Sequence, residues 1–326
     1  MKICFAGTPD FAVPMLETLL RSRHAVCLVV TQPDKPRGRG RTPWAPPVKQ
    51  LAQSRGAPLI QPESINRPEA MASLRAAAPD AIVVTAYGKR LTRRVLALPR
   101  FGCFNAHASL LPKYRGAAPI ERAILCGESE TGVTIQRMAP ELDAGAILVQ
   151  RALKIGDEET AGELSARLSA LAAEMIVPLL DAVESGEAVG RPQDAARATE
   201  APSLEKNDGL VPWRLDARGV CNFIRGMTPW PGAFTFHASR ASGEPRGPFD
   251  KAQGRRLILL AARPADDPGA AATPGQVLRA GDRLIVATGR GCVTVLRVKP
   301  EGGKPMEAAA YLHGRAVKPG DLFHGA

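Results

Sequence analysis

The sequence predicts an α/β protein in two parts: a Rossmann-like parallel-sheet domain at the N-terminus and an OB-like β-barrel domain at the C-terminus. Three observations predict it. Short β-branched runs alternate with helix-periodic stretches through the first half, the pattern of a parallel sheet with helices on both faces. Beyond a polar stretch without periodicity the pattern changes to short strands separated by turn residues, with no long helices. The chain has 326 residues, enough for two domains with full cores and no staples.

In order, residues 3–6 read as a strand, 11–21 as a helix, 25–31 as a strand and 48–54 as a helix. A short strand at 58–61, a helix at 68–77, a fully apolar strand at 80–86, a helical turn or two at 92–98 and a strand at 102–108 follow. Two further strands, 131–138 and 146–155, precede a helix from Thr160 to about Glu184, in which Leu164, Leu168, Leu171, Met175 and Leu179 recur at helical spacing. Residues 187–208 are rich in Gly, Pro and Ala and lack periodicity, so the domains are expected at 1–189 and 208–326 with a linker at 190–207. Five short strands are expected at 233–236, 256–261, 275–279, 283–288 and 292–298, with a closing helix at 306–314. The polar stretch 237–254 reads as a long flexible loop.

Composition narrows the function classes. Mean hydropathy is −0.09 with 23% charged residues, which excludes a disordered chain and a membrane protein. No apolar run is long enough to span a bilayer, and the N-terminal apolar stretch is too short for a signal peptide, so a cytoplasmic protein is expected. The six cysteines are scattered without a C-x-x-C pair or a histidine cluster, which reads as reduced thiols and no metal site. Net charge is +11, of which residues 201–326 carry +7, so the smaller domain is the more basic and suits a polyanion such as nucleic acid.

Ligands of a parallel sheet sit beyond the carboxyl ends of its strands. The first such end, Gly7-Thr8-Pro9-Asp10, has one glycine where a dinucleotide fingerprint needs three, so NAD use is disfavoured and Asp10 is expected to cap the first helix. Strand alternation places Asn105 and His107 on one face near another such end. An amide N–H can meet a developing oxyanion, and a histidine can exchange protons near neutrality. Asp143 in Leu142-Asp143-Ala144-Gly145 is available as an acidic partner or as a simple turn former. Between Lys35 and Lys49 there are five cations and no acid, and Arg37, Arg39 and Arg41 alternate with glycine in a loop able to follow phosphates.

Taken together, Ala6-Gly7-Thr8-Pro9-Asp10-Phe11, Thr31-Gln32-Pro33-Asp34, Ala86-Tyr87-Gly88, Asn105-x-His107, Ser109-Leu110-Leu111-Pro112, Arg115-Gly116-Ala117-Ala118-Pro119-Ile120, Leu142-Asp143-Ala144-Gly145 and Trp230-Pro231-Gly232-Ala233-Phe234 resemble the methionyl-tRNA formyltransferase family. The Asn-x-His and Ser-Leu-Leu-Pro signatures alone belong to the wider folate-dependent formyltransferases; the ordered series is more specific. The resemblance implies that Asn105, His107 and Asp143 are catalytic and that Ser109, Leu110, Leu111 and Pro112, with Tyr87 and Gly88, line the pocket for 10-formyltetrahydrofolate. It implies methionyl initiator tRNA as acceptor, met by Arg37, Arg39, Arg41 and Lys206, and a monomer suits a protein that must embrace a tRNA end. Ala201-Pro202-Ser203-Leu204 departs from the Ala-x-Lys-Leu of relatives, which leaves Lys206 as the substitute cation. Pro212 also stands before Trp213 where relatives carry an acid. The competing expectations are a formyltransferase for a purine precursor or amino sugar, and a catalytically silent RNA-binding protein on the same scaffold.

Overall fold

The computed structural model describes residues 1–37, 42–238, 255–266, 272–314 and 317–326. Arg39, Arg41, the side chain of Arg37 and most of the expected 237–254 loop lie outside the described residues. The chain divides into two compact units, one of Met1–Pro119, Glu130–Lys154 and Leu164–Pro202, the other of Ile120–Ser129, Ile155–Glu163 and Ser203–Ala326.

The first unit is built on a seven-stranded sheet of β1 (Lys2–Gly7), β2 (Ala25–Val30), β3 (Leu59–Ile60), β4 (Ala81–Thr85), β5 (Cys103–His107), β6 (Glu130–Arg137) and β7 (Ile147–Lys154), in the spatial order β7-β6-β5-β4-β1-β2-β3. β3, β2, β1, β4 and β5 run parallel, as the β/α alternation predicts. β6 runs antiparallel to both β5 and β7. The connection from β6 to β7 is too short for the crossover of a dozen or more residues that a parallel return requires, so these two strands form a hairpin at the sheet's edge.

β1 and β4 are buried along nearly their whole length, which explains why their sequences are continuous apolar runs rather than alternating ones. Ile82 and Val84 pack with Leu28, Leu74 and Ile65 on one face, each worth roughly 2 kcal/mol of transfer from water. The helix Val13–Arg21 follows a 3-10 turn at Asp10–Ala12, and there the expectation for Asp10 is corrected. No side chain caps either element; the Pro9 carbonyl accepts from Ala12 N, and Asp10 lies within the turn itself. The expected 160–184 helix runs Ala161–Ser185, opened by a reciprocal pair in which Glu163 N donates to Thr160 Oγ1 and Thr160 N donates to Glu163 Oε2.

Residues 190–202 have no periodicity because they carry side-chain and main-chain bonds rather than a core face. Arg191 exchanges two backbone hydrogen bonds with Ile147, and Glu200–Ala201 pairs in parallel with Arg115–Gly116. That pairing needs a glycine: Gly116 has φ +127°, and a Cβ there would lie 2.5 Å from the Ala201 carbonyl oxygen.

The second unit contains an antiparallel sheet of β8 (Ala233–Ala238), β9 (Arg255–Ala265), β10 (Val277–Ala280), β11 (Leu284–Ala287), β12 (Cys292–Pro300) and β13 (Leu322–His324), ordered β10-β11-β12-β9-β8-β13. A bridge between Gln276 and Leu322, with Phe323 N donating to Gly275 O at 2.8 Å, brings the two ends of that order together and nearly closes a barrel. The five expected strands are present within a few residues of their expected bounds. The sequence reading missed β13 and the helix Ala217–Gly226, whose Asp216 side chain accepts from Gly219 N at 2.8 Å as N-cap. Its Gly, Val, Cys, Asn and Phe are poor helix formers, and the apolar face packed inside holds the helix.

Cys4, Cys103, Cys221 and Cys292 are buried, and Cys126 is exposed. Burial pushes the Cys103 thiol up to about 12 and the Cys221 thiol up to about 11. Only the thiolate alkylates. Iodoacetamide at pH 8 is therefore expected to modify Cys126 in the native protein and Cys103 and Cys221 only after denaturation; mass mapping that finds Cys103 labelled at the rate of Cys126 would contradict the packing.

Candidate active site

β5 and β6 are adjacent, and their register sets Asn105 opposite Gln136 and His107 opposite Thr134. Opposed residues of antiparallel strands share a face, so four polar side chains stand together at the end of a strand otherwise lined by Phe104 and Ala106. The β6–β7 hairpin then carries Asp143 back over that face. Asp143 has φ +49°, a left-handed conformation that Asp and Asn tolerate better than other side chains. Gly145 lies so close to the Arg137 carbonyl that a Cβ would overlap it. The Asp-Ala-Gly sequence is thus a turn that carries an acid.

The Asp143 carboxylate is the centre of the site, with its side chain only 10% exposed. Oδ1 accepts from Gln136 Nε2 at 3.0 Å and Asn105 Nδ2 at 3.3 Å, while Oδ2 accepts from Gly116 N at 3.0 Å and faces His107 Nδ1 at 3.6 Å. His107 Nε2 lies 2.7 Å from the Tyr114 carbonyl oxygen. A carbonyl only accepts, so Nε2 carries the hydrogen and Nδ1 is the ring atom turned toward Asp143. The three residues expected to act together are therefore brought together.

Gln136 and Gln193 belong to the same network, and the sequence reading missed both. Gln136 is 1% exposed; its Oε1 accepts from Gly145 N at 2.9 Å. Gln193 Nε2 donates to the carbonyls of Asp143 and Gly145, each at 2.8 Å, and its Oε1 accepts from Arg115 Nη2 at 2.6 Å. The Thr134-x-Gln136 alternation on β6 was the available signal for the first. Nothing local marks Gln193, which sits in the aperiodic stretch.

The segment 109–112 is anchored from beneath. Ser109 Oγ donates to Lys113 O at 2.6 Å, Thr134 Oγ1 donates to Ser109 O at 2.6 Å and accepts from Leu111 N at 3.0 Å, and Gln150 Nε2 donates to Leu111 O at 2.8 Å. Ser109 and Leu111 are buried, while Leu110 and Pro112 remain half-buried. Tyr87 and Gly88 follow β4, where the strand order turns back on itself beside β1, the crevice in which open α/β sheets bind ligands. There the Tyr87 carbonyl accepts from Thr8 Oγ1 at 3.1 Å and Gln32 Nε2 at 2.7 Å, tying three strand ends together. Burial pushes the Tyr87 phenol up to about 12, so it stays protonated. Gly88 is exposed.

Lys206 is exposed on a 3-10 turn, Lys206–Gly209, of the second unit. Among the described residues His24, Asp181 and Glu184 have metal-ligand spacing, but Arg23 Nη2 pairs with both carboxylates, at 2.7 and 2.8 Å. They lie at the end of the sheet where β2 begins.

Residues 1–180 match the formyl transferase family, and residues 203–316 match the formyl transferase C-terminal domain. A protein named methionyl-tRNA formyltransferase from Moorella thermoacetica is 43% identical over 324 residues, 99% of each chain. One of the same name from Methylococcus capsulatus is 44% identical over 317 residues, 97% of this chain and 98% of the other. Among solved structures, the N-formyltransferase from Helicobacter canadensis, in complex with folinic acid and dTDP-3-aminofucose, superposes with a TM-score of 0.62 at 16% identity, over 90% of this chain and 98% of that one. HypX from Aquifex aeolicus in complex with tetrahydrofolic acid gives 0.60 at 17% identity, over 98% of this chain and 48% of that one. These two likenesses show a shared fold.

The Gly145 position yields a direct test of the turn. Gly145→Ala is expected to destabilise the protein by at least about 2 kcal/mol in urea titration, since main chain cannot move aside as a side-chain tip can. Unchanged stability would mean that the turn is not held against Arg137.

Proposed function

The chain belongs to the methionyl-tRNA formyltransferase family, and we propose that it transfers the formyl group of 10-formyltetrahydrofolate to the α-amino group of methionyl initiator tRNA. The observation that carries the reading is the convergence of Asn105, His107 and Asp143 at the carboxyl edge of the sheet. Family membership over nearly the full chain and the basic C-terminal half support it.

The chemistry follows from the groups present. An α-amine has a pKa near 8, so having it neutral at pH 7 costs only about 1.4 kcal/mol. The larger demand is the tetrahedral oxyanion formed as the amine attacks the formyl carbon. Asn105 Nδ2 carries two hydrogens, of which one reaches Asp143; the second is the oxyanion donor, a role worth on the order of 3 kcal/mol in the barrier. With Nε2 occupied by Tyr114, His107 works through Nδ1, exchanging the proton lost by the amine with Asp143, directly or across one water. The nitrogen–carbon bond forms, the bond from carbon to N10 of the folate breaks, and the proton returned to N10 completes the exchange.

In this reading the donor's ring system is held by the 109–112 segment and Tyr87-Gly88. Leu110 and Pro112 offer apolar surface, and main-chain groups beside exposed Gly88 offer hydrogen bonds to a heterocycle edge. Arg37, Arg39 and Arg41 meet the acceptor end of the tRNA and Lys206 its backbone, in a monomeric cytoplasmic enzyme; no helix among the described residues is long and apolar enough to cross a membrane.

The deciding assay supplies 10-formyltetrahydrofolate with charged initiator tRNA, charged elongator tRNA or an amino sugar. Transfer to the initiator alone is expected; equal use of both tRNAs, or preference for the sugar, would refute the assignment. Asp143→Asn is expected to lower kcat about 100-fold or more and to lower Tm, because it places an N–H where the carboxylate accepts and leaves a donor of the site unpaired. Arg39→Ala is expected to raise KM for the tRNA several-fold and leave KM for the folate unchanged; the reverse pattern would remove Arg39 from the tRNA surface.

A further inference from the structure

The segment joining the two expected domains reaches the Asp143 turn through one side chain. Gln193 uses its amide fully: Oε1 accepts from Arg115 Nε at 3.1 Å and Nη2 at 2.6 Å, and Nε2 donates to Asp143 O and Gly145 O, each at 2.8 Å, with Gln136 Oε1 a third neighbour at 3.3 Å. The two carbonyls it holds are that of Asp143 itself, at φ +49°, and that of Gly145 two residues on. A left-handed non-glycine residue persists only where its surroundings over-determine it, and these two bonds, with Gly145 N donating to Gln136 Oε1, add to the three donors on the Asp143 carboxylate to do so.

The same segment is fixed on both sides of Gln193. Arg191 pairs with Ile147 on the far arm of the hairpin. Thr199 Oγ1 accepts from Tyr114 N at 2.8 Å, next to the carbonyl that holds His107 Nε2, and Ala201 pairs with Gly116, whose N–H donates to Asp143 Oδ2. Three points of one segment therefore adjoin three separate determinants of the site: the turn, the His107 anchor and a donor to the carboxylate.

We propose that Gln193 is a positioning residue for Asp143, and that residues 190–202 are the clamp that sets the carboxylate against Asn105 and His107. The kinetic consequence rests on the formyl-transfer reading; the structural one does not. Gln193 touches no reacting atom, and its effect passes through main chain.

Gln193→Glu separates clamping from simple attachment. The carboxylate keeps and strengthens the pair with Arg115, yet it cannot donate to the two carbonyls. Gln193→Ala loses both. If the clamp sets the site, both variants lose about tenfold to 100-fold in kcat, the range that follows from misplacing a reactive group by about 1 Å, while KM for the folate stays within about twofold. Hydrogen exchange of peptides spanning residues 139–147 is expected to speed up in both variants. Wild-type kcat in Gln193→Glu, or unchanged exchange across the turn, would overturn the proposal. Should the wild type itself fail to transfer formyl to tRNA, the functional reading fails, and the exchange measurement still decides whether Gln193 holds the turn.

Discussion

A carboxylate removed from water must find its hydrogen bonds in protein, or it is neutralised or the chain unfolds around it. Asp143 meets that demand with donors from three different segments: Asn105 on β5, Gln136 on β6 and the main chain at Gly116. The arrangement works in both directions. The donors keep the acid in place, and the acid in turn draws Asn105 and the His107 ring toward one point at the edge of the sheet. Removing the carboxylate would leave several buried or half-buried donors facing each other, each at a cost of about 1–3 kcal/mol if unpaired.

Much of the local architecture follows from that demand. The antiparallel hairpin of β6 and β7 brings an acid from its turn back over residues of the neighbouring strand, β5. Close main-chain approach at Gly145 and Gly116 removes the side-chain bulk that would push the turn and the 190–202 segment apart. Two of the side chains that hold the carboxylate and its turn are amides. Gln136 and Gln193 can donate and accept at once, so each satisfies a carbonyl or carboxylate without adding a charge whose burial would cost more.

The sheet was legible because its central strands β1 and β4 are buried on both faces and its helices repeat at the helical period. The site was legible where chemistry and local pattern coincide: Asn105 and His107 lie two apart on a strand, and Asp143 sits in a small-residue turn. What the sequence hid has physical reasons. Gln136 looks like an ordinary polar residue of a half-exposed strand until the register pairs it with Asn105. Gln193 lies in a stretch whose lack of periodicity reads as a linker, because its order comes from side-chain hydrogen bonds to distant main chain and those leave no repeat. The Ala217–Gly226 helix is hidden by poor helix formers, and Asp10 has the composition of a cap, while a main-chain bond from Ala12 to Pro9 closes the turn instead.

If Asp143 and His107 act as one unit, their effects cannot be additive. The most direct measurement is a double-mutant cycle on the single-turnover rate of formyl transfer, with His107→Ala, Asp143→Ala and the double variant at saturating folate and tRNA. The double variant is expected to be no slower than the slower single variant by more than about threefold, a coupling energy approaching the full effect of either residue. Losses that multiply would mean that the two side chains serve the reaction independently, and the shared-carboxylate site described above would be wrong.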